Sequence, residues 1–254
     1  MRFRLGVISA MLLLALMIGA AWGYPTRFDA TTGLVDLPTS DVVALDSAEF
    51  AAGYSKLESN QQVWPLRLLV GVSEGAEVGI SYAKLNNGVD GSMTGFGAKM
   101  TLMEEPTADF GLGFGASYLD GTNSNVIEIY LAASKEFPMG VAEAYRYQAG
   151  RARMRGHLGL MFTRVSNGAD DDELRPFLGF DITTPEGTSF VAEYKLTDFG
   201  DDHAAAAIRY PLSPALTVQV GVARAETVLP QNDYRFIVGF SYDLSAVGQL
   251  DRRY

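Results

Sequence analysis

The feature that most limits what this chain can fold into is an alternation that recurs from about residue 46 onward and leaves nothing over to cover it. In Asp109-Phe110-Gly111-Leu112-Gly113-Phe114-Gly115-Ala116-Ser117-Tyr118, every second residue is apolar and those between are Gly, Ser or Asp. Successive side chains of a strand point to opposite faces, so Phe110, Leu112, Phe114, Ala116 and Tyr118 share one face. Tyr234, Phe236, Val238, Phe240 and Tyr242 do the same, as do Leu216, Val218, Val220 and Val222. Twelve such segments are readable, near 47–57, 63–72, 76–85, 92–102, 108–119, 125–136, 153–165, 174–183, 187–197, 203–211, 215–225 and 233–244. In water each apolar face needs a second layer, and no helical or further strand segment remains to supply one. Lipid is the solvent left for that face, and only a closed barrel satisfies its edge hydrogen bonds there. The expected fold is therefore all-β: a transmembrane antiparallel up-and-down β-barrel of about twelve strands, with ten to fourteen the range.

The connections support this. Ser73-Glu74-Gly75, Glu104-Glu105-Pro106-Thr107, Thr184-Pro185-Glu186-Gly187 and Leu212-Ser213-Pro214 read as tight turns. Longer stretches lie between them: Glu58–Gln62, Asn86–Gly91, Asp120–Asn125, Ser166–Glu173, Thr197–Asp202 and Glu226–Asp233. Outer-membrane barrels carry short periplasmic turns and longer external loops, which puts both termini in the periplasm. Pro138–Ala152 breaks the pattern, being long and on the periplasmic side; a short helix or an extra strand pair are both open there.

Met-Arg-Phe-Arg, an apolar run from Leu5 to Ile18 and Gly-Ala-Ala-Trp-Gly form a secretory signal peptide, with cleavage expected after Gly23. Beyond it no window of 18 apolar residues occurs, so no helix is expected to span a membrane. The chain has no Cys, which removes disulfides, thiolate metal sites and a lipoprotein anchor. A net charge of −10 argues against a nucleic-acid partner. Residues 24–45 are too polar for a transmembrane strand, and Pro38 would interrupt a ladder. They are expected to form a periplasmic lead-in or a partial plug ahead of a barrel over 46–245. Residues 246–254 are expected to form a short periplasmic tail, with the assembly signal carried by Phe236–Leu244 or by the terminal Tyr254.

Tyr54, Trp64, Tyr82, Tyr118, Tyr194, Tyr210, Tyr234 and Tyr242 fall near strand ends, where an aromatic belt would sit. The opposite parity collects the candidate lumen residues: Glu49, Arg67, Glu77, Lys99, Asp109, Glu128, Arg155, His157, Arg175, Asp181, Glu193, Lys195, Arg209, Arg235 and Asp243. Charges on an inner wall must be paired or hydrated. A structural salt-bridge network and a water-filled pore are both consistent with such a lining. His157 and His203 are the only histidines, and no Gly-x-Ser-x-Gly elbow occurs. No catalytic, cofactor or metal site is expected. The acidic runs Asp170–Glu173 and Asp198–Asp202 lack the ligand spacing of a calcium loop and read as solvated loops.

Phe28-Asp29-Ala30-Thr31-Thr32-Gly33-Leu34-Val35-Asp36-Leu37-Pro38-Thr39-Ser40 resembles the Gly-Leu-Ile-Asp-x-Pro-Thr-Ala opening of YjbH-like outer-membrane proteins, with Ser40 where the family has Ala. A second segment, Ala192-Glu193-Tyr194 through Asp201-Asp202-His203, Ile208-Arg209-Tyr210 and Pro214-Ala215-Leu216, resembles that family's repeated hairpin. The two segments cover about a quarter of the chain. The resemblance implies an outer-membrane barrel associated with exopolysaccharide, although the better-known members resemble two barrels in series and this chain has room for one. The expected function is a narrow passive channel or a scaffold associated with surface polysaccharide. A structural or adhesive barrel contacting lipopolysaccharide or a protein partner is the alternative, and a lipid-acting enzyme is third. Expected partners are outer-membrane lipid and lipopolysaccharide, the barrel-assembly machinery, and polysaccharide or a small solute.

Overall fold

A computed structural model describes residues 32–57, 62–86, 91–122, 124–138, 152–166, 170–196, 203–225 and 233–244. The expected signal peptide, the 246–254 tail, most of the 138–152 connection and the Asp198–Asp202 run lie outside the described residues. Twelve strands follow in order: β1 (Ala48–Leu57), β2 (Gln62–Ser73), β3 (Ala76–Asn86), β4 (Gly91–Met103), β5 (Gly111–Gly121) and β6 (Asn125–Pro138). They continue with β7 (Arg153–Ser166), β8 (Asp170–Thr183), β9 (Ser189–Lys195), β10 (His203–Pro211), β11 (Leu216–Ala225) and β12 (Asp233–Asp243). Each strand pairs antiparallel with its sequence neighbour, and β1 pairs with β12 from Glu49↔Asp243 to Leu57↔Arg235, closing the barrel.

The alternation decides which face looks out. Along β10 the odd residues His203, Ala205, Ala207 and Arg209 are buried, while Ala204, Ala206, Ile208 and Tyr210 are exposed. The outer surface carries Ile80, Phe96, Leu158, Leu178, Val222 and Phe240, a large apolar exposure that water would oppose and hydrocarbon accepts. No helix among the described residues is long and apolar enough to span a membrane. Trp64, Tyr82, Tyr118, Tyr210 and Tyr234 are exposed near strand ends, and the Tyr54 and Trp64 rings sit 4.6 Å apart on adjacent strands.

Three local readings are corrected. Glu104–Thr107 is not a tight turn: Glu105–Ala108 forms a single helical turn, α1, with Pro106 in its first turn. Asp109 ends α1 in the left-handed conformation, φ 62°, and is exposed. It therefore stands outside the barrel wall, because Asp tolerates that backbone and Pro106 starts a helix well. Asp170–Glu173 is not a loop either. Cross-strand pairing draws these residues into β8, where Arg164 Nε lies 3.5 Å from Asp172 Oδ1.

Candidate functional site

The interior is built around the segment that precedes β1. Gly33 pairs antiparallel with Pro38, and Leu34 N–H donates to the Leu37 carbonyl at 2.7 Å, making a tight hairpin. Pro38 has no N–H to extend that ladder, and the amides at the tip would be buried without partners. They find one in the wall. The carboxylate of Glu193, on β9, accepts from Val35 N–H at 2.9 Å, Asp36 N–H at 2.8 Å and Leu37 N–H at 3.2 Å. Glu77, on β3, does the same at the base. It accepts from Thr32 N–H and Val43 N–H, both at 2.7 Å, and so joins the two legs of the segment. Lys99 lies 3.5 Å from Glu77 and donates to the Thr32 carbonyl at 3.0 Å. Hydrogen bonds to an ionised acceptor are among the stronger kinds, and losing one inside a protein leaves a donor unsatisfied.

Apolar packing accompanies these bonds. Leu34 and Val35 cluster with Val191, Ala205, Ala207, Ala223 and Ile237, whereas Leu37 clusters with Tyr130, Ala132, Met161 and Phe177. A small inner wall is required where the backbone comes close. A Cβ at Gly113 would stand 2.9 Å from Ser40 Cα, and one at Gly71 would overlap the Ala44 carbonyl.

Three side-chain networks fasten the segment further. Asp36 is ion-paired to Arg235 and lies 3.5 Å from His203 Nε2, which is 3.0 Å from Glu193 Oε1. Asp36, Glu193 and His203 are close enough to suggest metal ligation. However, Glu193 already accepts from three amides and the Arg235 guanidinium already pairs with Asp36, so both carboxylates are engaged in holding the hairpin. Asp41 pairs with Arg155, which also bonds Glu105 of α1 at 3.0 Å. Finally, Ser40 N–H donates to Ser134 Oγ at 3.1 Å; Ser134 Oγ is 2.8 Å from His157 Nδ1, and His157 Nε2 is 2.8 Å from Asp181. Ser134, His157 and Asp181 have the composition of a hydrolytic triad. Yet Ser134 is buried beneath Ser40, and its neighbouring strand amides serve the ladder rather than an oxyanion hole. The row ties the segment to the wall.

Of the sequence-predicted residues, Glu77, Lys99, Glu193, Arg235, Arg155, His157 and Asp181 are thus drawn together around residues 32–41. Glu49 and Arg67 form a buried pair at 2.5 Å, and Arg175 pairs with Glu173. Glu128 Oε2 lies 3.4 Å from Ser117 Oγ, and Arg209 Nε donates to Gln219 at 3.1 Å. Lys195 is buried opposite His203 in the β9–β10 register, and Asp243 is half-buried opposite Glu49. Asp109 joins none of these. Sequence reasoning did not count Asp36, Asp41, Ser134 or Glu173 among the lumen residues. A polar segment carrying Pro38 was the available signal for the first two.

No protein-family model matches the chain, and no curated protein matches it. Solved structures do match in fold. The KdgM porin superposes with a TM-score of 0.55 at 13% identity, covering 76% of this chain and 98% of that one. A second KdgM structure, a complex with disordered oligogalacturonate, gives 0.52 at 14% identity over 77% and 98%. The outer-membrane protein Omp33 of Acinetobacter baumannii gives 0.51 at 11% identity over 77% and 97%. A closed ring of twelve antiparallel strands, an apolar outer face and this likeness lead to one conclusion: the chain is a twelve-stranded outer-membrane β-barrel with the fold of porin-type structures.

Proposed function

We propose that this is a passive outer-membrane barrel held closed by its own N-terminal segment, serving surface polysaccharide as a scaffold or as a channel that is shut at rest. The observation that carries the reading is the seating of the hairpin tip: three consecutive backbone N–H groups bonded to one buried carboxylate, Glu193. An ordinary lead-in peptide has no reason to spend a wall carboxylate in this way. The polysaccharide association rests on the YjbH-like resemblance. It gains support because the two segments carrying that resemblance touch: Gly33–Ser40 meets Glu193 and His203. Glu193 belongs to the second segment, although the two lie about 150 residues apart.

Planar-bilayer conductance of the refolded protein tests the closure. The full-length chain should be silent or pass rare small steps. Removal of residues 24–42, or Glu193→Ala, should produce frequent discrete steps several-fold larger. Large steady steps from the intact chain, left unchanged by the deletion, would overturn the reading.

A further inference from the structure

Beside the hairpin the barrel is not filled. A cavity of about 380 Å³ lies between Gly33, Leu34 and Thr39 on one side and the inner faces of β7 to β11 on the other. Its rim is formed by the turns at Pro185–Gly187 and Ser213–Pro214, so it opens at the short-turn, periplasmic end. That volume sits at the lower end of the range for small-molecule sites, about 300–1,000 Å³.

The chemistry of the wall narrows the ligand. Thr183, Ser189 and Thr217 are among the residues that line the cavity, and the hydroxyls of the first two are hydrogen-bonded to each other at 2.8 Å. Hydroxyls can donate or accept as a ligand requires. On the inner wall the charged groups are engaged, His157 with Asp181 at 2.8 Å, Arg155 with Asp41 and Glu105, and Arg209 with Gln219 at 3.1 Å, whereas Glu136, Arg153 and Glu186 stand at the rim. A ligand that brought net charge to the inner wall would compete with those contacts, which is costly where partners are buried. A neutral ligand rich in hydroxyls need not. No Phe, Tyr or Trp lines the cavity among the described residues, so recognition there does not rest on stacking a flat ring.

We propose that this cavity binds a neutral polyhydroxylated ligand the size of a mono- or disaccharide, entering from the periplasm. The proposal rests on the closed-barrel reading only in that the hairpin forms one wall. It deepens that reading by naming a ligand class and the side from which it comes.

Cellobiose is a suitable probe, with digalacturonate as the charged comparator. Saturation-transfer NMR on the full-length protein, refolded in a detergent without sugar headgroups, reads binding directly. Cellobiose should bind saturably, and digalacturonate more weakly. Thr217→Trp, which fills the cavity, should weaken cellobiose at least tenfold. Thr217→Val and Ser189→Ala, which leave the packing intact, should each cost about threefold to tenfold, the worth of one hydrogen bond. Absence of saturation, indifference to all three variants, or preference for digalacturonate would overturn the proposal. So would binding seen only in a chain beginning at Thr32, which would assign the cavity to the preceding segment of the chain itself. Conductance separates the two readings. A silent barrel that ignores cellobiose keeps the closure and loses the pocket; an open barrel whose cellobiose binding responds to the variants does the reverse.

Discussion

At the scale of single residues, the interior depends on groups whose removal leaves a partner stranded. Glu193→Gln keeps one acceptor oxygen where the carboxylate has two and removes the charge that strengthens its bonds to Val35, Asp36 and Leu37. It should therefore open the barrel less often than Glu193→Ala in the same bilayer recording. Gly113→Val tests the segment from the opposite wall. The new Cβ meets the Ser40 backbone, which cannot swing aside as a side chain can, so the hairpin must shift. Frequent conducting steps should result, while Gly75→Ala, whose Cβ meets only an ordinary 3.6 Å contact, should behave as wild type. The Glu49–Arg67 pair offers a stability test. Arg67→Met alone leaves a buried carboxylate without its 2.5 Å partner and should cost about 3–5 kcal/mol in urea unfolding. Glu49→Gln combined with Arg67→Met should recover most of that loss.

At the scale of elements, the sequence was legible wherever two solvents compete for a strand. Lipid outside and a packed polar interior inside impose a period of two, so β2, β3, β4 and β10 run within a residue or two of where the alternation places them. The alternation is silent where that competition stops. Pro106 and the left-handed Asp109 turned an expected tight turn into α1 and moved the start of β5 to Gly111, since local backbone preference governs a rim outside the membrane. Asp170–Glu173 looks like a loop by composition. It is strand because the long β7–β8 ladder continues past the point where side-chain polarity changes. The segment from Thr32 to Ser47 shows a different limit. Pro38 and the scattered polar groups exclude a membrane strand, but which wall carboxylates would receive its amides depends on contacts up to 158 residues away, such as Val35 to Glu193. No local pattern encodes a pairing of that range.

At the scale of the whole molecule, the barrel has to satisfy lipid and its own charges together. Leu178 lies in the middle of β8 and faces outward, opposite Leu158 and Tyr194 in register. Leu178→Arg should cost about 2–4 kcal/mol in liposome unfolding titrations, whereas the same change at Leu212, on a turn at the barrel end, should cost about 0–1 kcal/mol. Equal losses at the two sites would contradict the assignment of the membrane band. The hairpin adds a constraint of another kind. Its sequence comes before β1, yet its catch is on β9 and its ion-pair partner Arg235 is on β12, the strand that closes the ring against β1. Once that seam has zipped, the way in is through the end of a barrel already crowded with side chains. Assembly is thus a matter of timing as well as of affinity: a segment that precedes β1 has its contacts completed only when β12 has arrived to close the ring.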